Sequence, residues 1–401
     1  MKISNQVQDL TVEDALKKVL TAADIRMKTE SVPVSESLNR ITAEEIIARR
    51  DIPRFNNSAM DGYLFLTKDL NSGRRTFSVT GEIRPEHEKP DTLKTGTASR
   101  IMTGAPVPAG EYTVVPVEQA QEKERQVTVN AIPDRNPIRK QGEGYKTGKP
   151  VLEKGALIRP YEIGLLIESG NRSCKVLKPL RIAIQVTGSE IDEETDSNGP
   201  VLEALCSAWP GTVVKLWPVL DDDPKKVTLR MKELNKSSDL VLTTGGISAG
   251  RHDYILQSML ELGAEILVRK VQQKPGKPFT VSQLDGVPFF HLPGNPVSAV
   301  FTAEYYVKRR VLSALGLNAE PLKAVIMNNI ENHRGGKTLF LTGKLGFDNQ
   351  NRLTITTERS MRSHLMQLYH GNHAYVKIPP ETAFELGDRV EVSPFGLAYQ
   401  S

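Results

Sequence analysis

Two cysteines, Cys174 and Cys206, stand in 401 residues. That is too few for a disulfide scaffold or a cysteine-rich zinc site. The seven histidines include no His-Glu-x-x-His pair, and His370-Gly371-Asn372-His373 reads as a loop rather than a ligand set. Neither sign of charge is in excess: 52 Lys and Arg against 48 Asp and Glu leave +4. This excludes a bulk polycation and argues against non-specific nucleic-acid binding. The opening MKISNQVQDL has no apolar run, so no secretory signal is expected. The longest uncharged stretch, 286–303, is broken by Pro288, Pro293, Gly294, Asn295 and Pro296 and is no spanning helix. Repeats and low-complexity tracts are absent. A soluble, cytoplasmic, multidomain protein is the expectation.

What is present suffices for several cores. Hydrophobic residues make up 39% of the chain and charged residues 25%, as in folded domains. At about 100–200 residues per domain the length predicts two to four domains. Thr11 can cap a helix in which Val12, Ala15, Leu16, Val19 and Leu20 share a face and Asp14 favours the positive end of the dipole. Short alternating strands at 77–80, 114–117 and 126–129 predict a β-rich region, and 159–169 a second helix. The pattern changes at Leu180. Strands at 181–187, 212–219, 239–244 and 266–271 alternate with helices at 201–208, 227–234 and 252–262, and a long helix is expected over 298–315. This predicts a parallel sheet covered on both faces. From about residue 322 short strands return, at 324–327, 338–342, 353–356, 375–378 and 389–392, as in a small barrel or sandwich.

Three loop segments carry the chemistry. Thr243–Gly250 (TTGGISAG) follows a strand; its glycines allow a sharp turn and close approach of backbone to a ligand, and free N–H groups at the next helix suit an anion. It is neither a Walker loop nor a dinucleotide fingerprint. Lys274-Pro275-Gly276-Lys277-Pro278, with Lys270 nearby, sets lysines on a stiff backbone and suits phosphate or an oxyanion. Leu292-Pro293-Gly294-Asn295-Pro296-Val297-Ser298 follows the apolar run 287–292, with Ser298 as a candidate cap. Each alone also reads as a turn, a solvated basic loop or a capped helix start. Ligands of open α/β sheets sit at the carboxyl ends of strands, where the first loop falls, and the third again sets a helix start beside a strand end. Asp253 reads as a metal ligand, a water-orienting acid or a plain helix-start acid; Asp222 and Asp223 before Pro224 read as magnesium ligands or, for Asp223, a helix cap. In the N-terminal half, 56–63 (NNSAMDGY) and 100–108 (RIMTGAPVP) are rigid, turn-rich runs.

The runs 57–63, 100–108, 244–250, 274–278 and 292–298, in this order, make the chain resemble the molybdopterin molybdenumtransferase family, which includes the E domain of gephyrin. The resemblance spans nearly the whole chain. It implies an α/β plus β multidomain fold with a central doubly wound α/β molybdopterin-binding domain over 180–320. A helical linker domain is built from 1–50 together with 140–179, a β-rich domain from 51–139, and a small β-barrel from 321–401. It further implies a homodimer with the cleft between the α/β domain of one subunit and the β-rich domain of the other. The implied reaction inserts molybdate into adenylylated molybdopterin with release of AMP and uses magnesium; the molybdopterin adenylyltransferase is an implied partner.

Position by position, the resemblance makes Asp61, Glu190 and Asp253 catalytic. It gives Glu190, Asp223 and Asp253 to the metal. Thr103, Asp196, Ser197, Asn198, Gly245, Gly246, Ser248, Gly250, Lys270, Lys274, Lys277, Pro293, Gly294, Asn295, Pro296 and Ser298 would bind substrate, with Asp61 and Thr103 arriving from the other subunit. Ser189, Arg251 and Gly144 stand where the family usually has acids. The alternative is therefore a relative that binds molybdopterin without turnover, or a protein scaffold.

Overall fold

An apolar run with no helical period must bury both of its faces, and Leu180–Thr187 does so at every position but Arg181. The computed structural model describes residues 9–22, 25, 27–86, 90–189, 191–192, 194–246, 254–333, 335–359, 362 and 364–395. In chain order the central unit runs β1 (Leu180–Thr187), α1 (Asn198–Ser207), β2 (Thr212–Leu220), α2 (Pro224–Ser237), β3 (Leu240–Thr244), α3 (Tyr254–Glu261), β4 (Glu265–Arg269), β5 (Thr280–Leu284), β6 (Val287–Leu292) and α4 (Pro296–Thr302). The sheet order is β2-β1-β3-β6-β5-β4.

Strands β2, β1, β3 and β6 run parallel. Strand β5 is antiparallel to both β6 and β4, so the expected parallel sheet is mixed at one edge. The cause is local. Asp285 and Gly286, at φ 47° and 84°, join β5 to β6, and a two-residue turn of this kind reverses the chain. Helices cover both faces, as expected. Leu202 and Cys206 of α1 and Val297 and Phe301 of α4 lie in one core. Val227, Met231 and Leu234 of α2 and Ile255 and Met259 of α3 lie in the other. The expected long helix is continuous but not uniform: α4 passes through a π-helical turn, Ala303–Val307, before α-helical Lys308–Ala314.

Thr11 caps the first helix, Val12–Thr21, by accepting from the Asp14 N–H at 3.1 Å. Its buried Val12, Ala15 and Val19 join the core of the central unit. A separate small core gathers Val34, Ile46 and Ala48 with Val151, Ile158, Leu166, Cys174 and Val176, because Thr29–Pro33 pairs with Ser173–Leu177 and Ile46–Ile47 with Pro150–Leu152. Helix Pro160–Glu168 packs there. Between these two stretches lies a six-stranded mixed sheet, ordered Tyr112–Pro116, Gly62–Leu66, Thr97–Ile101, Thr76–Ile83, Gln126–Val129, Ala120–Lys123. Alternating side chains feed two cores, Phe65 and Phe77 on one face and Leu64 and Ile101 on the other.

The C-terminal strands close on themselves: Thr338–Phe347, Leu353–Thr357, Leu322–Ile326, Arg389–Pro394 and Ala374–Ile378, the last returning to the first. This is a barrel. It shares its core with the central unit, where the Phe301 ring meets those of Phe340 and Tyr375 at centroid distances of 4.6 and 5.1 Å. No helix among the described residues is long and apolar enough to cross a membrane.

Candidate active site

The carboxyl ends of β1, β3 and β6 converge. Gly245, at φ +87°, packs so closely that a Cβ there would lie 2.1 Å from the Thr187 carbonyl oxygen, while a Cβ on Gly294 would sit 3.7 Å from the Gly245 Cα. At Gly245 only glycine allows this approach, whereas the contact at Gly294 is an ordinary van der Waals one. Asn198 ties the loops together: its Nδ2 donates to Thr244 Oγ1 at 3.0 Å and to the Gly294 carbonyl at 2.8 Å. Thr244 Oγ1 in turn donates to the Pro293 carbonyl at 3.1 Å. Among the described residues, Thr187 Oγ1 and Asn198 Oδ1 are buried and lack a partner, so this edge retains hydrogen-bonding capacity. Beneath it the buried His291 links β3 to β5, its Nδ1 2.9 Å from Thr243 Oγ1 and its Nε2 2.8 Å from Ser282 Oγ. Burial pushes its pKa from 6.5 down to about 3, so the ring is neutral.

Beside this edge opens a cleft of about 550 Å³ lined by Lys274, Lys277, Asn295, Ser298 and, unforeseen in the sequence, Gln273 and Lys337. Lys274 belongs to a two-residue strand, Gln273–Lys274, that pairs with Thr338–Leu339 of the barrel. The barrel thereby contributes Lys337 to the rim. Lys277 forms an ion pair with Asp9 at 2.9 Å. Lys270 does not line this cleft; at φ 59° it closes the loop through backbone, donating to Phe279 O and accepting from the Leu10 N–H. Ser298 is not a cap. Asn295 occupies the cap position and Pro296 opens the helix, so Ser298 falls in the first turn, nearly buried, with its carbonyl accepting from Thr302 Oγ1.

Asp61 and Thr103 also meet, in the β-rich region. The Thr103 N–H and hydroxyl both donate to Asp61 Oδ1, at 2.7 and 2.8 Å. These bonds hold the exposed carboxyl below its ordinary range, as an anion. The same clamp recurs at Asp51, whose Oδ1 accepts from the Thr147 N–H and hydroxyl at 2.8 Å each. The geometry therefore also serves as a loop fastener.

The described acids of the central unit are engaged separately. Asp196 Oδ1 accepts from the N–H groups of Asn198 and Gly199 at the start of α1. Ser197 makes no side-chain capping bond. Asp223 caps α2 through Oδ1, accepting from Lys225 and Lys226. Asp221 pairs with Lys226, and Asp222 bonds to the Ser189 N–H at 3.4 Å. Among the described residues no three His, Cys, Asp or Glu side chains are placed to hold a metal ion. His373 accepts from the Leu345 N–H through Nδ1, so the 370–373 loop holds its histidine locally. Glu190, Ser248, Gly250 and Asp253 lie outside the described residues, as does Arg251. At Gly144, a Cβ would stand 3.1 Å from the Ile52 carbonyl oxygen, so an acid there would require the backbone to yield slightly. Lys337 had one sequence signal, a lysine directly after Gly335-Gly336 and before a strand; Gln273 had none.

Residues 183–313 match the family described as a probable molybdopterin binding domain. Residues 10–170 match the MoeA N-terminal region, domains I and II. Fold and site thus define a protein of molybdenum cofactor biosynthesis. The molybdopterin molybdenumtransferase of Staphylococcus epidermidis is 32% identical over 96% of this chain and 95% of its own length, and that of Staphylococcus aureus strain COL 31% identical over the same shares. The chain belongs to the molybdopterin molybdenumtransferase family. In fold it also resembles the molybdopterin biosynthesis moeA protein of Pyrococcus horikoshii OT3, with a TM-score of 0.78 at 24% identity over 97% of this chain and 100% of that one.

Proposed function

We propose that the chain inserts molybdate at the dithiolene of adenylylated molybdopterin while water cleaves the adenylyl phosphoanhydride, releasing AMP. The observation that carries this reading is the lysine-rimmed cleft beside the glycine-tight ends of β3 and β6. Its substrate holds a phosphoanhydride and meets a second oxyanion, and lysines supply the compensating point charges. In this reading Lys274, Lys277 and Lys337 attract the phosphates and molybdate, and Lys270, set back from the cleft, adds positive charge at a distance. Gly245, Gly246, Ser248 and Gly250 cradle the pterin phosphate region, and Pro293, Gly294, Asn295, Pro296 and Ser298 line the pterin and molybdate pocket. Asp196, Ser197 and Asn198 form its third wall.

The proposed working unit is a cytoplasmic homodimer supplied by the molybdopterin adenylyltransferase, with Asp61 and Thr103 of one subunit completing the cleft of the other. The exposed Tyr161 and Ile167 on helix Pro160–Glu168 support a covered face there. Magnesium is proposed with Glu190, Asp223 and Asp253 as ligands. The described carboxylates do not assemble a cation site by themselves.

Incubation with adenylylated molybdopterin, molybdate and magnesium is expected to yield AMP and active cofactor. Tight pterin binding without AMP above a blank would instead make the chain a non-catalytic binder. Asp253→Asn is expected to lose turnover while keeping ligand affinity, and unchanged turnover removes Asp253 from the reaction.

A further inference from the structure

Two lysines of the cleft, Lys274 and Lys277, sit on a loop whose shape is set from inside the protein. Gln273, 1% exposed, opens that loop and folds its side chain beneath it. Its Nε2 donates to the Gly276 carbonyl at 3.2 Å, and its Oε1 accepts from the Tyr306 hydroxyl. The Tyr306 ring stacks on Phe279 at the far end of the loop, centroids 4.6 Å apart and planes 18° apart. One buried tyrosine thus grips both limbs of Lys274-Pro275-Gly276-Lys277-Pro278. The tip is held as well: at Gly276, φ +84°, a Cβ would come within 2.7 Å of Thr302 Cγ2.

Tyr306 lies in the π-helical turn. Consecutive α-helical side chains diverge by about 100°, yet here Tyr305 and Tyr306 are both buried, the first against Phe340 and the second against Phe279. Such widened turns recur at functional sites. The helix that carries this turn begins at Asn295 and Ser298, on the opposite wall of the same cleft. Burial holds the phenol protonated, so it remains a donor.

We propose that Tyr306, acting through Gln273, is a positioning residue that sets the height and spacing of Lys274 and Lys277 against Asn295 and Ser298. It touches no substrate. The inference rests on the anion-binding reading of the cleft and adds the device that makes the lysine geometry rigid.

Tyr306→Phe keeps the ring stack and removes only the hydroxyl. In the full chain it is expected to raise KM for adenylylated molybdopterin about tenfold with kcat within about twofold. Binding of inorganic pyrophosphate, followed by calorimetry, is expected to weaken by a similar factor. The double variant Tyr306→Phe/Gln273→Met removes both polar partners, so no buried amide oxygen is orphaned. Its thermal midpoint should return towards that of the parent while KM stays high. A parental KM or pyrophosphate affinity in either variant, or a fall in kcat alone, overturns the proposal. Absence of AMP release by the parent, with pyrophosphate binding intact, defeats the functional reading instead. Absence of pyrophosphate binding by the parent defeats both.

Discussion

The most consequential single residues of this site are polar groups that bond inward. Asn198 holds the ends of β3 and β6 together, and His291 does the same one layer below. His291 carries a pH prediction. Its folded pKa, about 3, lies below the ordinary 6.5, so the unfolded chain takes up the proton first. The stability this gives is fully present above pH 6.5 and drains away as pH falls towards 3, amounting to a loss of about 2 kcal/mol at pH 5. His291→Gln is expected to flatten the pH dependence of the thermal midpoint between pH 7 and 5; a parallel curve would remove His291 as its source. Asn198 was legible through its motif, whereas Tyr306 and Gln273 carry no local signal, being 33 positions apart in sequence. Asp223 shows the reverse limit. Asp-Pro is written alike for a helix cap and for a ligand, and only the N–H groups of Lys225 and Lys226 show the cap.

At the scale of elements, apolar runs located β1, β3 and β6, which are buried almost throughout, while β2 was located although its side chains alternate in exposure. Strand direction was another matter. Thr280–Leu284, a strand the hydropathy pattern did not single out, is reversed against β6 by Asp285-Gly286, a turn signal that stands openly in the sequence. The glycine loop after β3 was legible as a close approach, and its cost is now specific. Gly245→Ala puts a Cβ against the Thr187 carbonyl at a left-handed φ, so the loop must shift. The expected outcome is a lower thermal midpoint together with weakened pterin binding. A variant that binds as the parent does would show that the strand ends can part without consequence.

Across the whole molecule, the central sheet and the barrel form one stability unit. Phe301, Tyr305, Phe340 and Tyr375 interlock across the boundary. Phe340→Ala is expected to cost about 3–5 kcal/mol, and its unfolding, followed together by circular dichroism and by tryptophan fluorescence from Trp209 and Trp217 of the central unit, should shift in both signals equally. A shift confined to one signal would mean that the two parts unfold independently. The sequence showed a change of pattern near residue 320 and so suggested two separable pieces; hydropathy cannot report that their apolar faces are each other's cover.

The strand Gln273–Lys274 bears on how such a chain can be recombined. It lies within the central stretch of sequence, yet its hydrogen-bonding neighbour is Thr338–Leu339 of the barrel. A chimera joined at residue 320, taking its last part from a relative, would cut no strand and look benign in an alignment. It would nonetheless place a native lysine loop against a foreign edge and exchange Lys337 without exchanging Lys274. The heritable unit of this cleft is the loop and the barrel edge together, and swaps that move both should retain substrate affinity where swaps at 320 lose it.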